Sequence, residues 1–315
     1  MIFKILRKIC ILSVLVSLPA FSADRITVIT SIPDLAWMAQ EIGGDRVEAK
    51  ALLRGTENPH FVDSVPDFIR QVADAKVVCI VGLDLEVGYM PPILAKSGNA
   101  KVQPGGPGYC EIGKSVTVLD KLSGPIDRSM GDVHPSGNPH YFLSPKSLAE
   151  GGAQIAQALS RVDPSNAAQY EKGLQAFRSK MEALSKEISL QLEPFRIAQK
   201  GKPILIEYHK EYAYFLAEYG LLSFGSIEEK PGVPPSAGRL AEIATMAKAA
   251  GVRVALGADY NPTKTLKRFQ EISGIPVAVV PTMIQAKGTY KTYAELQKHI
   301  ADSLLQALQT AGPGK

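Results

Sequence analysis

Five histidines occur in the 315-residue chain, and two of them stand in the same tripeptide, Asn58-Pro59-His60 and Asn138-Pro139-His140, each followed by an aromatic, Phe61 or Tyr141. Proline fixes its own φ at about −65° and drives the preceding asparagine out of the helical region, so each imidazole leaves a stiff turn. Held that way, an imidazole can serve as a metal ligand. One such turn alone is an ordinary turn. The pair, in a chain this poor in histidine, is read as a site, although the flanks differ too much for a tandem repeat. A third imidazole, His209, directly follows the apolar run Ile204-Leu205-Ile206 and Glu207-Tyr208.

These residues need elements to hold them. From residue 25 the chain alternates short β-branched runs with amphipathic stretches: strands over 25–30, 47–53, 76–81 and 116–119, and helices over 33–42, 64–75 and 144–162. That order predicts an α/β lobe with a mostly parallel sheet, in which His60 and His140 both lie in loops after strands. Ligands of such sheets gather at the carboxyl ends of the strands. The same pattern returns after residue 199, with strands over 203–207, 221–227, 252–258 and 277–280, and His209 at the carboxyl end of the first. Asp163-Pro164 is a helix start, with Asp as cap and Pro in the first turn. Beyond it Leu174, Phe177, Met181, Leu184, Ile188, Leu192 and Phe195 repeat at spacings of three and four up to residue 198. A helix of that length spans on the order of 50 Å, which suits a strut shared by two lobes; a coiled-coil dimer is the competing use of the same face. The expected organisation is an N-terminal lobe over 23–162, a linking helix over 163–198 and a C-terminal lobe over 199–315. The three imidazoles can then converge in the cleft.

The chain begins with Lys4, Arg7 and Lys8, an apolar stretch over 9–18, and Pro19-Ala20-Phe21-Ser22-Ala23, the layout of a cleavable secretory signal over 1–22. Cys10 lies inside the apolar stretch, so no lipobox is expected and the mature protein is expected to be exported as a free soluble protein. Removing those three cations from 35 leaves 32 against 31 acidic residues, so the net charge falls from +4 to +1, which gives no support to nucleic-acid binding. Cys79 sits in an apolar run and Cys110 in a Gly/Pro-rich loop; their spacing neither requires nor forbids a disulfide in an exported protein.

Taken together, Asn58-Pro59-His60 with Pro66, Gly82-Leu83-Asp84-Leu85-Glu86, Asp132-Val133-His134 leading to Gly137-Asn138-Pro139-His140-Tyr141, Tyr208-His209 with Tyr219-Gly220, and Lys230-Pro231-Gly232 make the mature chain resemble the zinc- and manganese-binding solute receptors of ABC importers, the ZnuA- and TroA-like proteins. The resemblance implies two α/β lobes joined by one long rigid helix, a metal in the cleft handed to the membrane subunits of an ABC permease, no catalysis, and a monomer. It places His60, His140 and His209 on the first three ligand positions. The family's fourth ligand, a carboxylate shortly before a Gly-Thr-Tyr-like segment, has no counterpart here: Val280-Pro281-Thr282-Met283 precedes Gly288-Thr289-Tyr290. A water, Asp259 or Glu207 is left to complete the set.

Three neutral imidazoles suit Zn2+, bound by nitrogen at about 2.0–2.1 Å in four-coordinate geometry. Mn2+ prefers harder oxygen donors and comes second. His134 is expected to be a solvated loop residue, with a role as accessory ligand as its alternative, and His299 to face solvent on the last helix. Tyr141 and Tyr208 are expected to pack beside the ligands. Two rivals use the same residues: an exported zinc hydrolase with a three-histidine site, with Glu207 or Asp259 as base, and a surface adhesin that keeps a metal for stability. No His-Glu-x-x-His helix or Gly-x-Ser-x-Gly elbow supports the hydrolase.

Overall fold

The computed structural model describes residues 25–125, 127, 130–285 and 287–312; the expected signal over 1–22 lies outside them. Among the described residues no helix is long and apolar enough to cross a membrane. The N-terminal lobe carries β1 (Ile26–Thr30), β2 (Val47–Ala51), β3 (Val77–Ile80) and β4 (Tyr109–Glu111) in the order β2-β1-β3-β4, all parallel. All four residues of β3 are buried, as a central strand covered on both faces requires. Helices α1 (Pro33–Gly43), α2 (Pro66–Ala73), α3 (Met90–Ser97) and α4 (Pro145–Val162) connect or cover these strands. Each of the four has proline in its first turn, where the missing N–H costs no hydrogen bond.

Residues 116–119 are not the expected strand; the fourth strand is β4. Their backbone is engaged elsewhere: Leu119 N donates to Tyr214 Oη (3.0 Å), and Leu119 O accepts from Asn138 N (2.9 Å). Cys79 and Cys110 lie in register on β3 and β4 as buried free thiols, and burial pushes the Cys79 thiol up.

The long helix is α5 (Ala167–Gln191), entered through a short 3-10 turn at Pro164–Asn166. Tyr170, Leu174, Phe177, Met181, Leu184 and Ile188 form its buried stripe, packed against α1 and α4. The expected run to residue 198 is interrupted at Leu192, and α6 (Glu193–Gln199) follows. The cause is Pro194, which cannot donate to the carbonyl of Leu190 and whose ring would press on it. The apolar phase nevertheless continues, since Leu192 and Phe195 are both buried.

The C-terminal lobe repeats the plan: β5 (Leu205–Glu207), β6 (Ser223–Ser226), β7 (Val254–Ala258) and β8 (Val277–Val280), ordered β6-β5-β7-β8 and all parallel. Helices α7 (Ala213–Tyr219), α8 (Ala237–Ala249), α9 (Thr263–Ser273) and α10 (Tyr293–Thr310) surround it. A capping box, Thr292 with Glu295, starts α10. This last helix also packs on α5, and one apolar core runs from α1 through α5 into α10. Trp37 stacks on Tyr293 (5.3 Å, 14°) and meets Phe177 edge-on (5.5 Å). Tyr293 Oη donates to Phe142 O (2.8 Å), Gln297 Nε2 to Leu143 O (2.9 Å), and Ile284 N to Asp34 Oδ2 (3.2 Å), so polar bonds tie the two lobes beneath the cleft.

Candidate metal centre

The two Asn-Pro-His turns are built by their asparagines. Asn58 Oδ1 accepts from His60 N (3.0 Å), and Asn138 Oδ1 accepts from His140 N (2.9 Å), each closing a side-chain-to-backbone turn. Asn138 does more: its Oδ1 lies 2.9 Å from His140 Nδ1, and its Nδ2 donates to Lys210 O (2.9 Å), the residue after His209. One side chain thus fixes a ring of the first lobe and reaches the ligand loop of the second. His209 leaves the end of β5, and the Gly137–Asn138 segment is held from the second lobe by Tyr214 Oη, which donates to Asn138 O (2.8 Å).

The structure brings His60, His140 and His209 together, with one ring nitrogen from each within 4.8 Å of the others. Ring centroids are 5.0 Å apart for His60 and His140, 5.7 Å for His60 and His209, and 5.6 Å for His140 and His209. Every one of the three has an oxygen at Nδ1: Asp132 Oδ2 at 3.0 Å from His60, Asn138 Oδ1 from His140, and Glu228 Oε2 at 3.0 Å from His209. At His140 and His209 these oxygens take the proton of Nδ1 and leave the Nε2 lone pair for a metal, whereas at His60 the Asp132 oxygen lies close without closing a hydrogen bond. His60 Nε2 and His140 Nε2 lie 2.9 Å apart, close enough for one ring to donate to the other, and a cation bound by both would take the place of that proton.

Protonation states follow from the surroundings. Burial holds His140 well below the ordinary imidazole value, and the neighbouring imidazoles add to it. Burial also lowers His60, against the opposing pull of Asp132. Burial acts on His209 in the same sense, yet the Glu228 hydrogen bond and the nearby Glu211 outweigh it, and this ring is held above its ordinary value. The neighbouring His60 keeps Asp132 low.

The proposed completers of the set are elsewhere. Asp259 accepts from Gln285 Nε2 (3.2 Å), burial pushes its carboxyl up to about 6, and it is not among the groups gathered at the imidazoles. Glu207 is buried, accepts from Tyr212 N (3.1 Å), and is pushed up to about 8 by burial. Instead a carboxylate that the sequence did not single out, Glu211, reaches the small hollow below His60 and His209; its Oε1 accepts from Asn261 Nδ2 (3.1 Å) and its Oε2 is buried without a partner. Asp132 and Glu228 were equally unassigned. Asp132 had a signal in its place beside His134, whereas Glu228 had none, since only folding brings it to His209.

His134 is a correction. Rather than a solvated loop residue, it faces the cleft with both ring nitrogens shut off from solvent and without a hydrogen-bond partner among the described residues, its ring 5.0 Å from that of His60 and 6.5 Å from that of His140. Burial and the neighbouring His60 bring it down to about 4. His299 also differs from expectation: it is half-buried and stacked on Tyr290 at 4.2 Å. Tyr141 packs as expected, with its Oη donating to Val81 O (2.7 Å). Above the rings opens a cleft of about 240 Å³, lined among others by Asp120, Leu122, Asp132, His134 and Glu228.

Two parallel-sheet lobes braced by a long helix, with imidazoles gathered between them, are the build of a metal-binding solute receptor. Residues 28–307 match the family described as zinc-uptake complex component A, periplasmic, and the chain belongs to this ZnuA family. The high-affinity zinc uptake system protein ZnuA of Brucella abortus (strain 2308) is 30% identical over 170 residues, 54% of this chain and 49% of the relative, so the chain spans about half the length of that relative. The iron ABC transporter substrate-binding lipoprotein MtsA of Streptococcus pyogenes serotype M1 is 25% identical over 258 residues, 81% of this chain and 79% of its own. A crystal structure of ZnuA shares the fold at a TM-score of 0.72 and 24% identity, covering 93% of this chain and 100% of that one. The family is one of binding proteins, which sets aside the hydrolase.

Proposed function

We propose that this chain is a periplasmic receptor that captures a divalent transition metal, Zn2+ first and Mn2+ second, on His60, His140 and His209, and delivers it to the membrane subunits of an ABC permease. The observation that carries this is the convergence of the three imidazoles, with one ring nitrogen of each within 4.8 Å of the others and an oxygen near Nδ1 of every ring. Nitrogen donors favour zinc over manganese. The relatives support the transport role, one named for zinc uptake and one for iron transport. Oxygen acceptors behind the rings raise ligand basicity and hold the tautomer.

Competition against a chromophoric zinc chelator tests this. Replacing His140 by alanine is expected to abolish tight binding, and His209→Ala to weaken it by at least about tenfold, one ligand being worth no less than its outer-shell support. An affinity unchanged in His209→Ala would sink the three-histidine site. Elemental analysis of protein purified without added metal, followed by zinc and manganese competition, decides between the ions.

A further inference from the structure

The loop over residues 131–136 hangs over the three imidazoles and is pinned on several sides. Asp132 N donates to Pro231 O (2.8 Å) in the opposite lobe, Ser136 N donates to Asp84 Oδ2 (3.3 Å), and Gly137 N returns to His134 O (3.0 Å). Asp84 itself sits in a strained turn, with Leu83 and Asp84 at φ of 52° and 67°, which Glu86 locks by accepting from Val81 N (2.7 Å) and Gly82 N (3.0 Å). What this scaffold presents to the cleft is His134, whose two buried nitrogens have no partner among the described residues. A buried imidazole with neither nitrogen satisfied lacks the hydrogen bonds that such groups almost always find.

Four imidazoles on one tetrahedral ion, each bound at about 2.0–2.1 Å, place their ring centres about 5 Å apart. The distances found are 5.0 Å for His60 to His140 and for His60 to His134, 5.6 and 5.7 Å from His209 to His140 and His60, and 6.5 Å for His134 to His140. His134 lies within ligating reach of His60 but not of all three imidazoles at once, so its loop must move inward to close the set. We propose that His134 is the fourth ligand of the metal, replacing the carboxylate for which residues 280–283 have no acid, so that the ion is enclosed by four neutral nitrogens. This rests on the three-histidine reading above. It also sharpens the choice of ion: an all-imidazole set suits zinc and removes the oxygen donor that manganese needs. Asp132 would then serve behind His60 and tether the His134 loop, rather than bind metal itself. A separate ion held by His60, Asp132 and His134, which also lie within ligating reach of one another, would have to displace the contact between Asp132 and His60.

X-ray absorption on protein loaded with one equivalent of zinc counts the imidazoles directly. Wild type is expected to show four, and His134→Ala and His134→Gln three plus a light oxygen scatterer, with chelator competition weakened by at least about tenfold in both variants, no less than the loss of an outer-shell partner. A tetrahedral cobalt(II) absorption spectrum in wild type that loses intensity in either variant supports the same assignment. Three imidazoles in wild type, or spectrum and affinity unchanged in both variants, overturn it, as does a second tightly bound zinc per chain that disappears in His134→Ala while the first remains. His140→Ala separates the two levels: if it too leaves zinc binding intact, the three-histidine site has failed, whereas loss of binding there with no effect at His134 rejects the fourth ligand alone.

Discussion

At the scale of single residues, the oxygens behind the imidazoles set how metal and protons compete. Glu228 Oε2 holds His209 Nδ1 and also accepts from Gly232 N (3.1 Å), so it both raises the proton affinity of His209 and anchors the loop beside it. His209 is the ring held above its ordinary value, and His60 and His140 are held below theirs. As pH falls, His209 therefore takes up a proton first and is the first ligand that metal must displace. Glu228→Gln is expected to weaken zinc binding by about 10- to 100-fold at pH 8 and to flatten its decline between pH 8 and 6, because the neutral amide no longer favours the imidazolium. Competition titrations at the two pH values check both parts, and a steeper decline in the variant would reverse the assigned role. Asp34 offers a test on stability. Burial pushes its carboxyl up from 3.8 to about 7, and only Ile284 N reaches its side chain from the other lobe. The folded protein therefore binds this proton more tightly than the unfolded chain does. Its contribution to stability is full below pH 3.8 and is lost as pH rises to about 7, a span worth at most about 4 kcal/mol. Asp34→Asn cannot ionise, so its stability relative to wild type, from denaturant melts, should rise between pH 4 and 8 and stay level above that. A difference independent of pH would mean that Asp34 is ionised when buried.

At the scale of elements, the strand-loop-helix order, both parallel sheets and the phase of the long helix were legible because each is a local property: runs of β-branched residues, proline-capped helix starts, and apolar spacings of three and four. The same locality made the Asn-Pro-His turns visible, since proline and asparagine act on their immediate neighbours. What was not legible depended on contacts between distant segments. Residues 116–119 have β-branched character, yet their backbone hydrogen bonds go to Asn138 and Tyr214, and no local signal records that. Glu228 and Glu211 were hidden for the same reason. The break at Leu192 is different, because Pro194 is a local signal for it that the apolar spacing alone does not carry; the structure keeps the stripe and breaks the helix. That stripe is the common floor of both lobes, so Phe177→Ala in α5 is expected to cost about 3–5 kcal/mol. Denaturant unfolding followed by tryptophan fluorescence at Trp37, whose ring meets Phe177, should show the loss in one transition with circular dichroism. Two separated transitions would show that the lobes do not share this core.

At the scale of the whole molecule, the question is how far the lobes can move when metal enters. Receptors with several flexible crossovers hinge widely, whereas here α5 buries one face along its length and the core it joins continues into α10. Beneath the cleft Tyr293, Gln297 and Ile284 donate to backbone or carboxylate groups of the first lobe, and at its rim Asn138 and Tyr214 join the two ligand loops. Opening the cleft by a large rotation would break these bonds together and expose apolar surface around Trp37 and Tyr293. Metal entry needs much less, namely relaxation of the close pair of Nε2 atoms on His60 and His140 and an inward shift at residues 131–136. Small-angle scattering from metal-free and zinc-loaded protein should therefore give nearly superimposable curves, while hydrogen exchange slows on metal binding in the loops carrying His60, His134, His140 and His209. Protection confined to these loops fits a receptor that releases its ion by loosening ligand loops one at a time, with His209 the first to yield to a proton. A large change in radius of gyration, with protection spreading into α5 and α10, would show instead that the lobes separate and that the shared core is remade in each cycle.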